Sequence, residues 1–218
     1  MRKPNNGGRT EDDQAYAELM LKYMEEKYDT NFLMEEYIFP KGGFNTGMRE
    51  NVLVVKDLNG VTANARARLG APYAFYDNYL HACGADLIQR NMDLSDLQKL
   101  GDAKYYAVVN GKQLSDISIA PEGIASVTLV VNIPQQVTEE ALMQLYEAYC
   151  QMCDAGYPDS DLTACFSDGS AEFTQAVENY PIYGNSNWTG FSGTVYAVLK
   201  ASGSDLSYED FRAALINK

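Results

Sequence analysis

Residues 51–69, NVLVVKDLNGVTANARARL, decide the fold class. The run Val52-Leu-Val-Val55 is apolar and rich in β-branched side chains, which suits a strand from Asn51 to Leu58. Asn59-Gly60 then supplies the pair of residues that a tight hairpin turn demands. Beyond the turn the side chains alternate. Ala63, Ala65, Ala67 and Leu69 fall on one face, and Asn64, Arg66 and Arg68 on the other. Small alanines on the buried face leave room for a helix close against the sheet. The preceding sequence offers one: Tyr16, Leu19, Met20, Tyr23 and Met24 recur at three and four, predicting a helix from Glu11 to Tyr28. Glu11, Asp12 and Asp13 sit in its first turn, where the helix dipole favours acids.

The remaining elements follow by the same reasoning. Phe32 to Phe39 reads as a strand stopped by Pro40 and the glycines behind it. Pro72 opens a second helix, Tyr73 to about Gln89. Lys104–Val109 and Lys112–Ile119 flank a second hairpin signal, Asn110-Gly111, and Ala125–Ile133 is the most strand-like segment. Thr138 is placed to cap a helix whose core stripe is Leu142, Leu145, Tyr149 and Met152. Asp161–Phe166 alternates as a strand that buries Leu162, Ala164 and Phe166. A short helix after Ser170, a strand Thr194–Ala201 and a final helix opened by the capping box Ser207–Asp210 complete the chain. Hairpin-linked strands with interspersed helices define an α+β protein with mainly antiparallel sheets. The expected organisation is a disordered segment at 1–10, a helix plus antiparallel meander at 11–92, and a second α+β region at 103–218. The boundary falls at 91–103, and the two regions either share one core or hold separate ones.

The formal net charge is −13, so the chain repels phosphate backbones and nucleic acid is excluded as a general partner. Residues 135–218 hold twelve acids and three bases, a net of −9, which leaves −4 for residues 1–134. That asymmetry serves solubility, or else a cation or basic partner near the C-terminal half. No apolar run is long enough to span a bilayer. Met1 followed by a short polar spacer and a strong helix is what remains after a signal sequence is removed and a start codon added; a natural cytoplasmic start is the alternative.

The chemistry-bearing residues are few. His81 is the sole histidine and lies mid-helix, and Cys83, two residues on, faces elsewhere. Cys150 and Cys153 have C-x-x-C spacing but fall at a helix C-terminus, where the dipole opposes a thiolate. The pair reads as two ordinary thiols, or as half of a disulfide with Cys83 or Cys165. Asp154, Asp159, Asp161 and Asp168 cluster near a loop without the EF-hand spacing. Glu35 and Glu36 are neighbours on a strand, so they face opposite sides and make a poor acid/base pair. No cofactor or metal is implied. The most site-like stretch is the loop carrying Tyr180, Tyr183, Asn185, Asn187, Trp188 and Phe191. Flat aromatic faces beside amides suit a glycan, peptide or protein ligand. The same aromatics would also serve as a lid folded onto the core.

Tyr23-Met-Glu-Glu-Lys-Tyr28 followed by Phe32 and a strand, with the later Tyr76-Asp-Asn-Tyr-Leu80, resembles uncharacterised lipoproteins and secreted proteins of Gram-positive bacteria. The resemblance implies a cystatin-like or NTF2-like N-terminal half and a place in the cell envelope or outside the cell, although the lipobox cysteine of such an anchor is missing here. The sequence is therefore read as a non-enzymatic binding protein of the envelope, lipid-anchored or secreted. The competing readings are a small-pocket enzyme on a cystatin-like or NTF2-like fold and a cytoplasmic assembly partner.

Overall fold

The structure is a computed structural model that describes residues 11–38, 50–68, 75–109, 113–114, 123–157, 159–170, 172–173, 191–203 and 206–217. The chain divides into two compact units, Met1–Tyr79 and Leu80–Lys218.

The first unit consists of α1 (Glu11–Tyr28), β1 (Phe32–Ile38), β2 (Glu50–Asp57), β3 (Thr62–Arg68) and β4 (Phe75–Asp77). The strands form one antiparallel sheet in the order β1-β2-β3-β4. α1 has the predicted bounds and ends where Asp29 takes a positive φ of 48°, the left-handed turn that commonly closes a helix. It contacts all four strands, and Ala63, Ala65 and Ala67 are buried as the alternation required. Its buried stripe is Ala17, Met20, Met24 and Tyr28. Leu19, placed in that stripe from the sequence, is 44% exposed, because it lies about 100° round the helix from Met20. In β1 the register slips between Met34 and Glu36, so Glu35 is the extra residue of a bulge. The bulge is why Phe32 and Tyr37, five apart, are both buried.

The second helix begins later than Pro72 suggested. Phe75–Asp77 pairs with β3, and α2 runs Tyr79–Asn91. Asn78 continues the pairing by donating its backbone N–H to Asn64 O at 3.2 Å, while its side-chain Oδ1 accepts from Asn64 N at 2.7 Å. The ladder thus claims residues that local propensity would give to a helix.

The second unit adds α3 (Ser95–Leu100), β5 (Asp102–Val109), β6 (Ile124–Ile133), α4 (Glu139–Asp154), β7 (Ser160–Ser167), β8 (Glu172–Phe173), β9 (Phe191–Ser192), β10 (Val195–Ser202), α5 (Tyr208–Ala213) and β11 (Leu215–Asn217). Its main sheet has the order β11-β10-β7-β6-β5, and β8 pairs with β9 in a separate two-stranded sheet among the described residues. Every pairing is antiparallel except β6 with β7, which α4 joins as a crossover helix. β7 is buried on both faces, so Thr163 and Cys165 are interior along with Leu162, Ala164 and Phe166. β5 pairs with β6; the expected strand Lys112–Ile119, Gln113 and Leu114 apart, and the Asn110-Gly111 turn lie outside the described residues. After Ser170 the first regular residues are the strand Glu172–Phe173, and the rest of the expected short helix also falls outside them. The final helix is a short one followed by β11, an edge strand with no signal of its own.

Leu142, Leu145, Tyr149 and Met152 are buried in one core with β5, β6, β7 and β10. Thr138 Oγ1 accepts from Ala141 N at 3.2 Å, capping α4 as expected. Thr138→Ala is predicted to cost about 1 kcal/mol, read by chemical unfolding. An unchanged midpoint would mean that water serves the freed N–H equally well.

Candidate functional site

Among the described residues, the most concentrated polar constellation lies in the first unit around Asp77, whose side chain is 1% exposed. The end of β4 delivers this carboxylate beneath the last two turns of α1. Its Oδ2 accepts from Tyr23 Oη at 2.8 Å and Lys27 Nζ at 2.7 Å. Its Oδ1 accepts from Tyr28 Oη at 2.6 Å and Tyr79 N at 3.0 Å. Lys27 Nζ also donates to Tyr23 Oη at 3.1 Å and lies 5.4 and 5.0 Å from the ring centres of Tyr23 and Tyr28. A second buried carboxylate, Asp57, accepts from Tyr79 Oη at 2.8 Å, Asn59 N at 2.9 Å and Val61 N at 2.8 Å. Tyr79 thus spans the two acids, its N–H on one and its hydroxyl on the other. Its ring packs edge-on against Tyr28 and Phe32, each at 4.8 Å.

Burial works to raise the Asp77 pKa, but the hydrogen bonds from Lys27 and Tyr28 prevail and hold it below the ordinary carboxylate range. Burial likewise opposes the shift at Lys27, where the bonds to Asp77 and Tyr23 win and raise it. Tyr28 and Tyr23 are raised, chiefly by burial. Asp57 is lowered, its bonds to Tyr79 and Val61 outweighing burial. Asp77 accepts two donors on each oxygen, which fills the lone-pair sites of a carboxylate. This arrangement anchors α1, β4 and the start of α2; it is not poised to move a proton near neutral pH.

The second unit has a different group of residues on α4. Tyr146 Oη donates to Leu206 O at 2.9 Å, and Tyr149 Oη and Cys153 Sγ both donate to Gly203 O, the latter at 3.6 Å. Cys150 and Cys153 are half-buried, Cys165 is fully buried in β7, and none of the four cysteines is in a disulfide. Asp161 is raised by burial and then by Asp159. Among the described residues no group of three His, Cys, Asp or Glu side chains could hold a metal ion. His81 is half-buried on α2, and its Nδ1 accepts from Val109 N at 3.0 Å, which places the ring proton on Nε2. Glu35 and Lys56 approach to 3.7 Å, an exposed pair.

Of the predicted ligand-binding residues, Tyr180, Tyr183, Asn185, Asn187 and Trp188 lie outside the described residues, and Phe191 is described only in its backbone. Phe173 pairs with Phe191 and Glu172 with Ser192, so residues 174–190 leave and return at one short ladder. Just outside it, Asp168 N donates to Thr194 O at 3.2 Å, Thr194 N donates to Ser170 Oγ at 3.1 Å, and Ser170 N donates to Asp168 Oδ1 at 2.9 Å. Gly193 holds a φ of +100°, and a Cβ there would sit 2.5 Å from Ser170 O.

The sequence reading did not single out the Asp77 cluster. Its parts, Tyr23, Lys27 and Tyr28 in one segment and Asp77 and Tyr79 in the other, are the two segments quoted above for the resemblance. A signal was therefore present, without any indication that the segments meet.

These observations define an α+β protein with a saturated acid–tyrosine anchor in one unit and the short β8–β9 ladder in the other. No protein-family model matches the chain, and no curated protein matches it. Among solved structures it is similar to a DUF5037 family protein from Ruminococcus gnavus ATCC 29149, at 13% identity and a TM-score of 0.45, over 91% of this chain and 98% of that one. No described helix is long and apolar enough to cross a membrane.

Proposed function

We propose that the chain is a non-enzymatic binding protein of the bacterial cell envelope or exterior, engaging a protein, peptide or glycan through Tyr180, Tyr183, Asn185, Asn187, Trp188 and Phe191. The observation that carries this reading is the base of the loop. The β8–β9 ladder and the hydrogen bonds joining 168–170 to 194 bring both ends of residues 174–190 together next to the ends of β7 and β10. A long aromatic segment on a fixed base is a common way to present binding residues. The saturated carboxylate Asp77 favours binding over catalysis, since its donors leave neither oxygen open to a substrate. The envelope location, with or without a lipid anchor, and the cystatin-like or NTF2-like reading of the first unit rest on the helix-then-meander order and on the quoted resemblance.

Trp188 is the sole tryptophan, so its fluorescence reports on this loop alone. Titration with a panel of glycans and envelope peptides should give a binder that shifts the emission. Trp188→Ala or Tyr183→Ala should then weaken that binder about tenfold or more, as expected for an aromatic anchor. A ligand that binds both variants as tightly as wild type, without moving the emission, would place the site elsewhere.

A further inference from the structure

The geometry points to a reversible dithiol–disulfide site at the end of α4, formed by Cys150 and Cys153 and taking a small organic disulfide as co-reactant. The two thiols are three residues apart on one helix face and both are half-buried. Helical geometry puts their Cα atoms about 5 Å apart, within the span a disulfide bridges. Their Cβ atoms, at about 5–6 Å in a regular helix, are too far apart, so closure needs the last turn to open. Helix ends fray more readily than helix interiors. The helix ends at Asp154, its closing bonds are Ala155 N to Gln151 O and Gly156 N to Cys153 O, and Gly156, at φ +76°, faces open space. Cys165 is sealed inside β7 and Cys83 lies on another helix, so neither competes for this face. A metal would find too few ligands, because no third His, Cys, Asp or Glu joins the pair among the described residues.

The chemistry balances as exchange. A thiolate of the pair attacks the incoming disulfide and displaces one thiol; the second cysteine then attacks the mixed disulfide and displaces the other. One intramolecular S–S bond forms, two S–H bonds are lost, and the co-reactant leaves as two reduced thiols. Oxidation also removes the Cys153 donor from Gly203 O, one of the contacts that tie the end of β10 and the entry to α5 onto α4.

The full chain, incubated with glutathione disulfide, alkylated and digested, tests this. The peptide holding Cys150 and Cys153 should lose two hydrogens, resist alkylation and recover both thiols with dithiothreitol. Hydrogen exchange at Leu206 and along α5 should quicken in the oxidised form. Cys150→Ser and Cys153→Ser, at half-buried positions, should each abolish ring closure. A persistent mixed glutathione adduct, or two thiols that alkylate freely after incubation, would overturn the site. Closure with unchanged exchange along α5 would overturn its coupling to the Gly203 contact.

Discussion

Replacing Asp77 with alanine is expected to loosen the first unit by on the order of 3 kcal/mol. The carboxylate is buried, and its loss strands the hydroxyls of Tyr23 and Tyr28 and the N–H of Tyr79 in a site built to satisfy them. Lys27 is 38% exposed and can turn to water, so its ion pair adds less than a fully buried one would. Asp77→Asn should recover little, because an amide NH2 would face Lys27 or a tyrosine hydroxyl that already donates. Hydrogen exchange of the α1 amides reads the effect within the unit. Exchange in α1 that matches wild type would show the cluster to be ornamental to stability.

The pH dependence has a definite sign. The Asp77 pKa is lowered on folding, so its contribution is present above the ordinary carboxylate value and fades as pH falls through the folded one. Lys27 and Tyr28 are raised, so their contributions are full below their unfolded values and fade as pH rises through the folded ones. The anchor should therefore be at full strength between about pH 4 and about pH 10 and weaken on both sides. In Asp77→Ala the acid limb of the α1 exchange profile should flatten.

The legible parts of this fold are those fixed by residues close in sequence. The period of α1, the turn at Asn59-Gly60, the alternating alanines of β3 and the cap and stripe of α4 each depend on neighbours a few positions apart. Asp77 meets its α1 partners across 49 to 54 residues, and such bonds leave no local pattern to read. The late start of α2 has the same origin, since the pairing of Phe75–Asp77 with β3 outweighs the helix signal at Pro72. β11 is three residues long and becomes a strand only because β10 lies beside it. For the candidate loop, composition named the residues, whereas its ladder-closed base, which makes the reading mechanical, came from pairings across the segment.

Gly101→Ala should have the largest effect of any alanine substitution at a described glycine. Gly101 joins α3 to β5, its N–H donating to Leu97 O at 3.0 Å. Its φ of 177° is extended and open to any residue, so backbone strain is not the issue. Space is. A Cβ there would lie 2.0 Å from Asn132 O, 2.9 Å from Asn132 C and 3.0 Å from Ile133 Cα. Those atoms are backbone of β6, which is held between β5 and β7 with both ladders formed. A side chain could rotate away from the methyl, but this strand can yield only by breaking register with a neighbour. The expected cost exceeds about 4 kcal/mol, the range reached only by gross steric or burial faults. Gly156→Ala is the control: its φ of +76° makes alanine strained, but nothing lies within 4 Å of the new Cβ, so the cost should be about 1 kcal/mol. Thermal unfolding of the two variants separates these cases. If Gly101→Ala melts as close to wild type as Gly156→Ala does, then β6 is not fixed by its neighbours and the α3–β5 junction can move away from it.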